Sequence, residues 1–229
     1  MKKILLLGDS IRLGYDFYVR DRMKNIAEVV YPTENCRFSA YLYRHLQDWV
    51  AQLNLDRVDA VHFNAGLWDV LHLVGDDRPL TAPEVYADYI ERIIRRIRYL
   101  LPGAEIIAAA TTPVDEAAFN PNFGKRRNCD IEAFNDLARI AAEKEGAYYN
   151  DLYALMKDQP LSYHSDATHF YTPEATEILG CRVSDYLCDV LGLDKNCLIP
   201  LDAQQYFGRK TEEKDTIIKD GKKEKVLGH

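Results

Sequence analysis

Ser10 follows directly on the apolar run Ile4-Leu5-Leu6-Leu7 and the pair Gly8-Asp9. Such a run reads as a buried strand, and open α/β sheets place their chemistry beyond the carboxyl ends of their strands. A serine hydroxyl becomes a nucleophile when a base takes its proton, and that base needs a third group to fix its tautomer. Histidine preceded by aspartate at −3 supplies base and orienter together, and the chain offers three such pairs: Asp59/His62, Asp69/His72 and Asp166/His169. Position must choose among them. Asp59 and His62 straddle the start of the third expected strand, where residues three apart face opposite sides, so that pair reads as structural. Asp69/His72 follows the carboxyl end of the same strand and stays a competitor. Asp166/His169 lies in the irregular stretch Tyr163-His-Ser-Asp-Ala-Thr-His-Phe-Tyr, where a loop can fold the carboxylate onto Nδ1 and leave Nε2 for a serine proton. His164 has no such partner and reads as a surface histidine. Ser10 itself has two plainer readings: it caps a helix, or the turn from Gly8 to Gly14 cradles a phosphate. The missing Gly-x-Ser-x-Gly elbow disfavours an ordinary α/β-hydrolase.

The elements that must position these groups alternate along the chain. Residues 3–7, 28–31, 60–65, 105–111 and 147–150 are short, mostly apolar and turn-bounded, and predict strands. Helices are expected over roughly 17–24, 40–53, 82–101, 131–145 and 173–191. The third is clearest: Pro83 suits a first turn, Tyr86, Tyr89, Ile90, Ile93, Ile94 and Ile97 form one stripe, and Pro102-Gly103 stops it. Thr172 is a candidate N-cap for the last helix, with Glu174 in its first turn. Five β-α units with buried strands predict an α/β fold, a single parallel sheet with helices on both faces and right-handed crossovers.

Bulk properties narrow the class. A chain of 229 residues with 47% hydrophobic and 28% charged side chains is that of a globular protein, most simply one domain over residues 1–200. Residues 201–229 form a charged tail, expected to be flexible or loosely docked. The net charge of −7, with no basic stripe, argues against nucleic-acid binding. The apolar run after Lys2-Lys3 is too short for a signal-peptide core, and no stretch approaches the ~20 apolar residues of a membrane span. Cysteines 36, 129, 181, 188 and 197 are odd in number and lack Cys-x-x-Cys spacing, which favours reduced thiols in a cytoplasm over disulfides or a zinc site.

Gly8-Asp9-Ser10 near the N-terminus, with Asp166-x-x-His169 before the terminal helix, resembles the SGNH (GDSL-type) hydrolase family over roughly residues 3–190. Thr111-Thr112-Pro113-Val114, and Asn128-x-Asp130-Ile131 leading to Asn135, strengthen the resemblance. It implies a three-layer, flavodoxin-like α/β/α sandwich around a five-stranded parallel sheet. It also implies Ser10 as nucleophile, His169 as base and Asp166 as orienter, with no cofactor or metal.

Two positions depart from the family pattern. Ala40 stands where a glycine donates a backbone N–H to the oxyanion, and a backbone donor survives that change. Gly66-Leu67-Trp68-Asp69 stands where Gly-x-Asn-Asp is usual, so Trp68 replaces the asparagine amide. An oxyanion donor is worth about 3 kcal/mol in the transition state. The Trp68 indole N–H, Asn64, or backbone N–H groups of Ser10 and Ala40 are the available substitutes. The oxyanion and substrate-binding candidates are therefore Ala40, Asn64, Gly66 and Trp68. Phe119, Phe170, Tyr171 and Trp68 are candidate pocket walls. Arg12 reads as a solvated or locally paired arginine ahead of a substrate-anion ligand, and Lys125-Arg126-Arg127 as a solvated loop. The expected function is hydrolysis of a small acyl ester, such as an acetylated carbohydrate. Acyl transfer and a non-catalytic binding module on the same fold are the alternatives.

Overall fold

The computed structural model describes residues 1–120 and 122–206, and the backbone of 216–219 and 222–225. Five strands, β1 (Lys2–Leu7), β2 (Ala27–Val30), β3 (Ala60–Asn64), β4 (Glu105–Ala109) and β5 (Tyr148–Asn150), form one sheet in the order β2-β1-β3-β4-β5. Every neighbouring pair is parallel, with Leu7 opposite Phe63 and Asn64 opposite Ala109. The connecting helices are α1 (Arg12–Met23), α2 (Ser39–Gln52), α3 (Pro83–Leu100), α4 (Asn128–Lys144), the short α5 (Leu152–Met156) and α6 (Pro173–Leu191). Helix α1 packs on α6, while α2, α3 and α4 pack in succession on the other face. This is the three-layer α/β/α arrangement expected from the alternation of apolar runs.

The strand order reverses between β1 and β3, so the crevice beyond their carboxyl ends is the natural ligand site of the fold. Ser10 is at its floor. Strands β1 and β3 are buried on both faces, as a sheet covered by helices on each side requires.

Several boundaries differ from expectation for local reasons. Helix α1 begins at Arg12 rather than 17, because the polar residues Arg12 and Asp16 are buried and paired rather than solvated. Helix α4 begins at Asn128 rather than 131. Helix α5 escaped the pattern because it is a five-residue element; Asp151 caps it by accepting from the Ala154 N–H. On α3 the stripe holds at Tyr86, Ile90, Ile93, Ile94 and Ile97, but Tyr89 sits at its margin, with Arg92 4.3 Å from the Tyr43 ring centre and 5.1 Å from that of Tyr89. Thr172 caps α6 as expected.

Of the expected tail, Ala203 and Tyr206 are buried against α1, where the Tyr206 ring meets Tyr18 at 5.5 Å and its hydroxyl donates to Asp21. Thr216–Lys219 (β6) and Lys222–Lys225 (β7) pair antiparallel. The rest of the tail (207–215, 220–221 and 226–229) lies outside the described residues.

Arg12 is a structural cation, not a solvated one. Its guanidinium donates to Asp16 at 2.8 Å and to the carbonyls of Pro32 and Glu34 at 2.9 and 2.7 Å, with both charged side chains at most 2% exposed. It thereby fixes the irregular segment leading from β2 to α2. Removing one partner of such a pair strands the other charge in a dry interior. Arg12→Met should therefore cost about 3–5 kcal/mol, read as a lowered urea midpoint; a loss below about 1 kcal/mol would show that the pair does not hold the segment.

Candidate active site

Strand β1 ends in a loop with no spare room. A Cβ on Gly8 would lie 2.0 Å from Asn64 Oδ1 and 2.8 Å from the Arg12 Cβ, so only glycine lets β1 and β3 stay in register here. Asp9 turns inward and is fully buried. Burial pushes its carboxyl above the ordinary range; hydrogen bonds from the Ile11 N–H and the Asn64 amide, and the Arg126 charge, pull against that shift. Ser10, left half-buried at the edge, faces the crevice.

His169 reaches Ser10 from the segment between α5 and α6. Its Nε2 lies 2.8 Å from Ser10 Oγ, and its Nδ1 lies 2.7 Å from Asp166 Oδ2 and 3.0 Å from Oδ1. Asp166 Oδ1 also accepts the backbone N–H groups of Thr168 and His169 at 2.7 and 2.8 Å, a tight turn that aims the carboxylate at the ring. Burial raises the Asp166 pKa, but the bonds from Thr168 and His169 outweigh it and hold the group below the usual carboxylate range. It is therefore an anion able to keep the proton on Nδ1 and the lone pair on Nε2.

Tyr171 joins this arrangement from the side. Its ring stacks on His169 at 4.7 Å and 19°, and its hydroxyl donates to the Ser10 carbonyl at 2.8 Å. One side chain thus ties the imidazole to the backbone of the serine. The sequence suggested Tyr171 as a pocket wall, and nothing in residue type or spacing could have disclosed this bridge. Phe170, by contrast, is in the core and Phe119 packs at its margin. His164 is half-buried against the Phe170 ring at 4.0 Å rather than on the surface.

The remaining candidates gather around the same crevice. Ala40 lies in the first turn of α2, where backbone N–H groups have no intrahelical acceptor. Gly66 starts the turn after β3 with φ +152°, and a Cβ there would fall 2.1 Å from Thr111 Oγ1. Trp68 follows in that turn, half-buried, its indole N–H without an acceptor among the described residues. Asn64 is buried beneath the loop, its amide against Asp9 and its Oδ1 against Gly8. On the far side, Asn135 exchanges two hydrogen bonds with the Thr111 backbone and Asn128 two with that of Val114, pinning the segment after β4.

Arg126 is the residue the sequence misplaced. It is half-buried rather than solvated, and its Nε donates to the Leu67 carbonyl. Burial lowers its pKa while Asp9 and Asp166 act in the opposite sense, so its charge stands between the serine loop and the histidine loop. A three-residue basic run gives no sign of which member turns inward. Among the described residues no group of three His, Cys, Asp or Glu side chains could hold a metal, and no helix is long and apolar enough to cross a membrane.

A parallel sheet with a switch point above a Ser-His-Asp array defines an α/β hydrolytic architecture, and the comparisons identify which. The chain belongs to the GDSL-like lipase/acylhydrolase family, whose model matches residues 6–172, and is thus an enzyme of ester-hydrolysing type. The family resemblance drawn from Gly8-Asp9-Ser10 and Asp166-x-x-His169 is borne out. A lipase/acylhydrolase from Enterococcus faecalis is 20% identical and superposes with a TM-score of 0.64 over 88% of this chain and 99% of its own. An acetyl xylan esterase is 17% identical with a TM-score of 0.63, over 81% and 99% of the two chains. A carbohydrate acetylesterase from Sinorhizobium meliloti is 14% identical with a TM-score of 0.63, over 83% and 100%. These similarities define the fold. No curated protein sequence matches the chain.

The other two Asp-x-x-His pairs are not pairs in space. Asp69 is buried and caps α2, accepting from the Ser39 N–H at 3.0 Å and its hydroxyl at 2.6 Å, while His72 bonds through Nε2 to Asp130 at 2.8 Å. Asp59 binds Lys2 and the Lys3 N–H. His62 is buried in β3 beside Asn150, and burial pushes its imidazole down to about 3. Unfolded histidine titrates near ~6.5, so below that pH the unfolded chain takes a proton that the folded chain refuses. Between pH 6 and 4 the protein should lose about 1.4 kcal/mol per pH unit more than a His62→Gln variant. Urea denaturation of both proteins at each pH measures the difference, from which the other carboxylates cancel. Parallel curves would mean that His62 stays protonated inside the sheet.

Proposed function

We propose that this protein is a serine esterase acting on small acyl esters, with Ser10 as nucleophile, His169 as general base and acid, and Asp166 as its orienting anion. The observation that carries the reading is the unbroken chain of contacts from Ser10 Oγ through His169 to Asp166, at 2.8 and 2.7 Å. Ser10 Oγ attacks the ester carbonyl as His169 Nε2 takes its proton. The imidazolium is stabilised by the Asp166 carboxylate. Backbone N–H groups of Ser10 and Ala40 receive the negative charge of the tetrahedral oxygen, the latter aided by the positive end of α2. The imidazolium then protonates the leaving alcohol, and water repeats the sequence on the acyl-enzyme. Tyr171 keeps the imidazole beside the serine during both half-reactions. Acetylated carbohydrates are the substrate class favoured by the fold's likeness to an acetyl xylan esterase and a carbohydrate acetylesterase.

With p-nitrophenyl acetate, Ser10→Ala and His169→Ala should each lower kcat by about 10³-fold or more, as in other triads. Turnover by Ser10→Ala equal to that of wild type would sink the assignment. A fluorophosphonate probe should label the wild type and not Ser10→Ala. Two further variants separate the roles of Tyr171. Tyr171→Phe keeps the stacked ring and should retain most of kcat, whereas Tyr171→Leu should lose about tenfold or more through misplacement of the base. Equal rates for all three proteins would show that neither the hydroxyl nor the stacked ring matters to turnover.

A further inference from the structure

Arg126 is held from several directions. Lys125 exchanges backbone hydrogen bonds with His72 at 2.9 and 3.0 Å, and the His72 ring is fixed to Asp130 at the start of α4. Gly124, with φ +89°, passes so near the His72 carbonyl that a Cβ would lie 2.5 Å from it. Beyond Arg126, the Asn128 N–H donates to Glu116 and the Asn128 side chain to Val114. The side chain between these clamps places its Nε on the Leu67 carbonyl, beside Trp68. This accounts for one of the five N–H donors of a guanidinium.

The four Nη hydrogens have no acceptor among the described residues. The neighbouring carboxylates do not complete the set. Asp166 is engaged by His169 and Thr168, Asp9 by Ile11 and the Asn64 amide, and neither forms an ion pair with Arg126. A half-buried guanidinium with open donors carries a desolvation cost that a bound anion would offset through charge-assisted hydrogen bonds. Its planar fork suits two oxygens of one carboxylate or phosphate.

We propose that Arg126 binds an anionic group, a carboxylate or a phosphate, on the alcohol part of the ester substrate. The alcohol is the relevant half because the Asp166 charge acts on Arg126, and Asp166 orients the base that protonates the leaving oxygen. The substrate class then narrows to acylated hydroxy acids or acylated sugar phosphates. The assignment rests on the esterase reading for its location, but Arg126 can be tested without turnover.

Three acetyl esters separate the possibilities: methyl 4-acetoxybenzoate, which is neutral, 4-acetoxybenzoate, and 4-acetoxyphenyl phosphate. For Arg126→Gln, kcat/KM on the better anionic ester should fall about 10- to 100-fold, the worth of a charged hydrogen bond, with the change mostly in KM. Turnover of the neutral ester should change less than about threefold. Arg126→Lys should recover part of the loss, since it keeps the charge without the fork. Whichever anion gives the larger effect identifies the group. Equal losses on all three esters would overturn the proposal and make Arg126 a support of the reacting carbonyl or of the fold, which thermal melting separates. Unchanged kinetics on every ester would overturn it as well. Calorimetry with 4-hydroxybenzoate and with phenyl phosphate supplies the turnover-independent arm. Binding to wild type that Arg126→Gln abolishes upholds the anion site even if no ester is hydrolysed, a result that would sink the nucleophile instead. No binding of either anion and no preference between the esters would sink the anion site alone.

Discussion

A carboxylate shut away from water, that of Asp9, sits at the centre of the whole carboxyl edge. It lies directly under the serine, and burial alone would drive it to the neutral form. Each group that opposes this comes from a different part of the chain: Ile11 from the entry to α1, Asn64 from the end of β3, His169 from the loop before α6, and Arg126 from the loop before α4. All four segments converge on this one buried carboxyl. Convergence of those segments also gathers Ser10, His169 and Arg126 at one edge of the sheet.

The close approach of Gly8 to Asn64 sets the scale of tolerance. Parallel strands β1 and β3 run in register to their last residues, so a side chain at position 8 would have to enter space already filled by a buried amide. Ser10 therefore sits on a rigid floor, whereas His169 is delivered by an irregular segment whose carboxylate partner is about half exposed. Such a division suits a reaction in which the base must exchange protons with successive partners while the serine stays fixed.

Period and burial made the sheet legible. The apolar runs of β1, β3 and β4 owe their pattern to burial on both faces, and the stripe of α3 owes its pattern to burial on one. Among three equivalent Asp-x-x-His spacings, strand geometry disposed of one and left two, since a backbone pattern cannot tell that Asp69 caps a helix while His72 bonds to Asp130. Charged residues were the least legible. Arg12 and Arg126 look alike in a sequence, yet one is sealed beneath the β2–α2 connection and the other is half-buried on the Leu67 carbonyl. The difference arises from backbone carbonyls at Pro32, Glu34 and Leu67, and carbonyls are present at every position of every chain. The Tyr171 bridge was hidden for the same reason.

Gly14 gives the tyrosine its room. A Cβ at position 14 would stand 3.0 Å from two carbons of the Tyr171 ring, and Thr176, in the first turns of α6, donates its hydroxyl to the Gly14 carbonyl. Helix α1 and the segment carrying the histidine are therefore fitted to one another at Gly14. Positions 14 and 171 form a unit of inheritance: a lineage that enlarges the first must shrink or reorient the second, so the two should drift together through descent even though 157 positions separate them.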